Sequence, residues 1–321
     1  MAHEHLEAAA EWFARLRDGQ VDEKVRREWR LWLKENADHE AAWNFVASIG
    51  ERFALLRAEG QARAASAVLK DRREPRSTRR KVLTGLTGAA GLGVLGWTGV
   101  RMTPMPEMVT AWTADERTEI GEIRELALAD GVQLWLGTAS AINHIARRGT
   151  NLVELVQGEI FIATHGSVIP PLQVTTDHGR MQPLGTEFAV RRQTDATLLS
   201  VFEGAVEVSP TDSTEGKRIH AGEQVAFTAT GIAAVEPADP ARKAWTRGVL
   251  LALDIRLDEL VRELSRYQFG HLGVAPEVAG LRVLGSYPLR DPDAALAMLA
   301  DVLPIRINRP LPWWTTIAPA P

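Results

Sequence analysis

Hydrophobic residues recur along the chain in different rhythms, and each rhythm predicts a different kind of structure. Leu6, Ala9, Phe13 and Leu16 follow the alternating three- and four-residue steps of one helical face. Gly19 is placed to close that helix in a left-handed conformation. Val25, Trp29, Trp32 and Leu33 mark a second helix behind Asp22, a residue type that caps helix N-termini. Ala42, Phe45, Val46, Ile49, Phe53 and Leu56 mark a third, with Asp38 read as its cap. Residues 1–60 are therefore expected to be a three-helix bundle.

From about residue 108 the period falls to two. Leu126 and Leu128, then Val132, Leu134 and Leu136, alternate with other residues on either side of Asp130-Gly131, which reads as a hairpin. Glycines at 121, 158, 204 and 222 each sit in or beside an alternating apolar run, where a bulge or tight bend between strands explains them. Residues 108–240 are expected to be all β, sandwich-like or a twisted solenoid. Residues 245–316 mix both rhythms. A strand at Val249–Leu253 precedes a helical face of Leu257, Leu260, Val261 and Leu264. A strand pair between Gly270 and Tyr287 comes next. A second helix follows, capped by Asp291 with Pro292 at its first position and carrying Leu296, Leu299 and Leu303. Ile305 and Ile307 make a further strand, and Trp313-Trp314 are read as a last strand in preference to an adhesive tail. The expected fold is α+β, two βαβ units in succession.

Val82–Val100 has neither rhythm. It holds nineteen residues without a charge, six of them glycine. As a helix rising 1.5 Å per residue it falls just short of the roughly 30 Å hydrocarbon core of a bilayer. Six glycines, each costing about 1 kcal/mol relative to alanine, disfavour the alternative of a buried helix in a soluble domain. A single transmembrane helix over residues 82–100 is expected. A basic linker, residues 61–81, carries Arg72, Arg73, Arg76, Arg79, Arg80 and Lys81 on the N-terminal side. The other flank offers Arg101 and then no basic residue until Arg117. The positive-inside rule then places the N-terminus in the cytoplasm and the C-terminus outside it. Arg79-Arg80 also resembles a twin-arginine export signal, and a plain basic stop before a helix explains it equally well. Gly85, Ala89 and Gly93 form a stripe that lets two helices approach, so a homodimer through the span is open.

Composition narrows the chemistry. The chain of 321 residues has no cysteine, which excludes disulfides and zinc–thiolate sites, and a net charge of −4. Residues 1–60 carry nine basic and twelve acidic side chains, the wrong balance for a nucleic-acid partner. His3, His5, His165 and His178 have no ligand spacing and read as solvated loop histidines. No phosphate loop or acid–base pair stands out, so neither a cofactor, a metal nor an enzyme is expected. Trp12, Trp29, Trp32 and Trp43 are dense for a sixty-residue bundle. A domain this small cannot bury four indoles completely, and part of that surface is left for a partner.

Glu11-Trp12-Phe13-Ala14-Arg15-Leu16, Trp29-Arg30-Leu31-Trp32-Leu33 and Asp38-His39-Glu40-Ala41-Ala42-Trp43 resemble the N-terminal domain of FecR-type anti-sigma factors. The runs 129–136, 155–162, 184–190 and 200–208 resemble the periplasmic domain of that family. Trp245, Gly248, Leu257, Leu260, Tyr267 and Gly285 resemble a secretin/TonB short N-terminal domain. The resemblance implies a single-pass inner-membrane protein whose cytoplasmic helices bind an extracytoplasmic-function sigma factor, with the four tryptophans as the binding surface. It also implies a periplasmic part that receives the signalling domain of a TonB-dependent outer-membrane siderophore receptor. Release by periplasmic and site-2 proteases completes the picture. An exported binding or assembly module with a membrane anchor is the alternative. Some family members cleave themselves between a glycine and a threonine that correspond to Gly185 and Thr186. A simple turn into a strand explains Leu184-Gly185-Thr186 as well.

Overall fold

The computed structural model describes residues 2–17, 22–70, 114–128, 131–147, 150–164 and 171–321. Gly19, Arg79, Arg80, His165 and the span Val82–Val100 lie outside the described residues.

Three helices open the chain: α1 (His3–Arg17), α2 (Glu23–Glu35) and α3 (Ala37–Lys70). Asp22 caps α2 as expected, its carboxylate accepting the Lys24 amide. Asp38 does not cap α3. Asn36 does, its side-chain oxygen accepting the Asp38 amide at 3.0 Å. This leaves Asp38 in the first turn, where its charge suits the helix dipole. The third helix continues to Lys70, so the first ten residues of the expected linker extend it.

Among the described residues the β region is one network of thirteen strands built around Thr150–Thr164. The first half of this strand pairs with Ala141–Arg147 and, in parallel, with Leu172–Thr176. Its second half pairs with Val132–Leu136 and Glu187–Arg192. The change of partners centres on Gly158 (φ 89°), where any Cβ would overlap Ser140. Only glycine fits that bend. The sheet curls so that both halves face one core, with Leu134, Ile142, Leu155, Ile160, Ile162 and Phe188 fully buried in it. The expected hairpin is present, with Leu126 opposite Leu134.

Residues 240–319 form two small sheets. Val249–Arg256 pairs antiparallel with Arg282–Pro288. Trp314–Pro319 pairs in parallel with His271–Val274 and antiparallel with Ile305–Leu311. Helix α4 (Leu257–Leu264) buries all four leucine and valine positions read from its periodicity. A short α5 (Pro276–Ala279) follows, and α6 (Pro292–Val302) is capped by Asp291 through the Ala294 amide. The expected strand pair between Gly270 and Tyr287 is not formed. Its two strands belong to different sheets because α5 intervenes and His271–Val274 finds Trp314–Pro319 instead. The tryptophan pair does introduce a final strand.

The boundary expected between residues 240 and 245 is not a break in the core. Ile160 and Ile162 face the inside of the curled sheet. Phe161 and Ala163 face outward and are buried in one core cluster with Trp245, Leu257, Leu260 and Tyr287. Successive side chains of a strand point to opposite faces, so this stretch is covered on both. A partly buried ionic chain crosses the same contact. Arg266 meets Glu159 at 2.7 Å and Glu263 at 3.1 Å, and Arg191 meets Glu263 at 2.7 Å. Burial opposes ionisation of Glu263, but the two arginines outweigh it and hold its carboxyl below the usual range.

Candidate functional site: an aromatic helical face and a glycine–threonine turn

The four tryptophans singled out in the sequence come together, and none is fully buried. Trp29 and Trp43 lie 4.8 Å apart, ring centre to ring centre, and Trp12 and Trp32 6.4 Å apart. His39 stacks on Trp32 at 4.4 Å, and its Nδ1 lies 2.8 Å from the Trp32 carbonyl oxygen. The core beneath is thin: Ala9, Ala10, Ala42 and Val46 are its fully buried helical members. Helix α2 buries none of its thirteen residues, although Val25, Trp29, Trp32 and Leu33 share a face. Leu31 beside them is 69% exposed. The indole N–H of Trp29 is buried without a hydrogen-bond partner. An amphipathic helix with so little burial is short of a covering surface.

Part of the helical module is covered from within the chain. Leu311, Trp313 and Trp314 of the C-terminal strands join its core. Phe13 meets Trp313 edge-on at 5.4 Å, and Phe53 stacks on Phe269 at 5.7 Å. Trp314 stacks on His271 at 3.9 Å. Burial, with a smaller contribution from His3, pushes the His271 imidazole down to about 4, so it is neutral in the stack. Sequence reasoning missed this contact, since residues 1–60 and 245–316 were assigned to opposite sides of a membrane.

Gly185 and Thr186 form the turn between strands Gly179–Pro183 and Glu187–Arg192. Gly185 takes φ 73°. Its carbonyl oxygen lies against Gly204, where any Cβ would overlap it. Thr186 is 2% exposed, and its hydroxyl has no hydrogen-bond partner. Thr164 holds the same residue by its backbone. The Thr186 amide donates to Thr164 Oγ1 at 2.7 Å, and the Thr164 amide and hydroxyl donate to the Thr186 carbonyl at 3.0 and 3.2 Å. The turn therefore presents a free hydroxyl next to the Gly185–Thr186 peptide bond, with the bond's nitrogen fixed. Thr164 and Gly204 were not found from sequence. The Gly204 repeat signalled a bend but not what it packs against.

His178 corrects another expectation. It is buried, with Nδ1 3.0 Å from Thr197 Oγ1, because the turn at Asp177 folds it inward. No cluster able to hold a metal ion occurs among the described residues. No helix among them is long and apolar enough to cross a membrane.

Comparison with known proteins adds a family. Residues 114–207 match the family model described as FecR protein, and residues 7–49 match a domain of unknown function, DUF4880. No curated protein matches. Two crystal structures of a candidate anti-sigma factor from Parabacteroides distasonis ATCC 8503, at 2.50 and 1.65 Å resolution, share the fold. They superpose with TM-scores of 0.51 and 0.50 at 20% identity, covering 64% of this chain and 98% and 99% of theirs. Residues 114–207 are therefore similar to the FecR protein family, and residues 7–49, ahead of them, to DUF4880.

Proposed function

We propose that this protein regulates an extracytoplasmic-function sigma factor, which it holds on the aromatic face of its N-terminal helices. The observation that carries this reading is α2, whose apolar face buries no residue, flanked by exposed Leu31. The anti-sigma description of the structural relatives points the same way. Full-length protein is expected to capture an extracytoplasmic-function sigma factor from its host. Replacing two central anchors, Trp29→Ala with Leu31→Glu, should weaken that capture at least about thirtyfold, the effect of losing roughly 2 kcal/mol at a binding hot spot. Undiminished capture by the double variant, or no sigma factor captured by the wild type, would sink the reading.

In this reading residues 82–100 cross the inner membrane, and the β and C-terminal regions lie in the periplasm. There they receive the signalling domain of a TonB-dependent receptor. Proteolysis, ending within the span, frees the cytoplasmic helices. Membrane insertion would part the helical module from Trp313 and Trp314, so the two arrangements exclude each other. The surface uncovered on the C-terminal strands is then apolar and available to the periplasmic partner.

The contact between helices and C-terminal strands favours a second reading, an exported binding module with both parts in one compartment. The absence of native cysteine makes a direct test clean. Phe13→Cys with Trp313→Cys, treated with a short bismaleimide in intact membranes, is expected to give no intramolecular crosslink. A crosslink there would favour the second reading.

The turn at Gly185 supports self-cleavage as part of the same proposal. Thr186 Oγ1 attacks the Gly185 carbonyl carbon, the C–N bond breaks, and the hydroxyl proton ends on the released nitrogen. Water then hydrolyses the resulting ester to a Gly185 carboxylate and restores the Thr186 hydroxyl.

A further inference from the structure

A cavity of about 300 Å³ lies where the curled sheet meets the C-terminal domain. One wall is apolar, made by Leu250, Ile255 and Leu289 among others. The rest is polar, and an account of its donors and acceptors is lopsided. Every carboxylate that lines it is already engaged. Glu159 pairs with Arg266, and Glu263 pairs with Arg191 and Arg266. Asp239 accepts the Ala241 amide at 2.9 Å, and Glu259 accepts the Arg256 amide at 3.3 Å.

Among the donors Arg266 is engaged in those same pairs, but two further arginines are not. Arg242 and Arg262 line the same cavity, and neither guanidinium makes a hydrogen bond or ion pair among the described residues. Arg242 acts on Glu263, and Arg262 on Asp258, only through longer-range attraction. Trp245 also lines the cavity. Its side chain is 6% exposed, and its indole N–H is buried with no acceptor. Two guanidiniums without a protein partner at a single space offer donors to an acceptor-rich, negatively charged group. The apolar wall calls for a hydrophobic body attached to it. The volume is at the small end of the range for small-molecule sites, about 300–1,000 Å³.

We propose that this cavity binds a small organic carboxylate with an apolar body. The carboxylate faces Arg242 and Arg262, and the body lies on Leu250, Ile255 and Leu289. The site draws on both the 3₁₀ segment Pro240–Arg247, which connects the two regions, and helix α4. Occupancy therefore ties the C-terminal domain to the segment that joins it to the sheet. The proposal does not depend on the sigma-factor reading.

The test is isothermal titration of the purified full chain in non-ionic detergent with 3-phenylpropionate and, separately, with 3-phenyl-1-propanol, subtracting micelles alone. Saturable binding of the acid and none of the alcohol is expected. Arg242→Gln with Arg262→Gln keeps hydrogen-bonding side chains at exposed or half-exposed positions and should preserve the wild-type melting temperature. It should weaken binding of the acid at least about tenfold. No saturable binding of the acid up to about 10 mM, equal binding of the alcohol, or undiminished binding by the folded double glutamine variant would each overturn the proposal.

Discussion

Purified full-length protein is expected to run on a denaturing gel as two fragments, residues 1–185 and 186–321, while Thr186→Ala runs as one. The effect is all or none because the reaction has one nucleophile. The Thr186 hydroxyl is buried beside the scissile bond and committed to no other partner. Thr186→Ser keeps the hydroxyl and should still cleave. Thr164→Val deletes the oxygen that accepts the Thr186 amide proton at 2.7 Å while conserving shape, so cleavage should slow without loss of the fold. Mass spectrometry of the smaller fragment checks the position, since it must begin at Thr186. An intact wild-type band matching that of Thr186→Ala would remove self-cleavage and leave the turn a simple connection between strands.

The second large effect is on stability. Arg266→Ala should destabilise the body formed by the sheet and the C-terminal domain by about 3 kcal/mol, the lower end of the cost of removing one partner from a buried ion pair. The lower end applies because Arg266 keeps 20% of its side chain exposed, whereas Glu159 keeps only 5%. Glu159 would be left as a buried charge with no arginine in contact, and Glu263 would keep Arg191 alone. Chemical denaturation followed by circular dichroism reads the change as a lower midpoint with an unchanged slope. Glu159→Gln placed in the same chain should recover a large part of the loss, because it removes the charge that Arg266 had neutralised. A shift below about 0.5 kcal/mol for Arg266→Ala would show the bridge to be solvent-screened.

Local elements were legible in the sequence where periodicity and caps agree. Helix α4 and its four buried positions, the Asp291-Pro292 start of α6 and the Leu126/Leu134 hairpin all follow from rules that act within a dozen residues. The features that were not legible depend on contacts far apart in the chain. Residues 160–163 are apolar without a break, which shows burial on both faces but not that α4 supplies the second cover. The pairing of His271–Val274 with Trp314–Pro319 joins segments some forty residues apart. The tryptophans of the helical face were found from their density alone. Thr164 carries no local signal for the glycine–threonine turn, and Gly204 signals a bend but not the Gly185 carbonyl it packs against, since each reaches that turn only through the sheet.

The strand register has a mechanical consequence. Gly185–Thr186 lies between strands that are paired across the bond on both sides. Glu187–Arg192 lies against residues 158–163, and Gly179–Pro183 lies against Ala205–Pro210. A chain severed at that bond would stay assembled at rest, held by those two ladders and the core between them. Under tension it would behave as a fuse. The covalent path would be gone, and the force needed to part the pieces would be set by two short antiparallel ladders together with the Glu159–Arg266 pair and the packing of Phe161 in the C-terminal core.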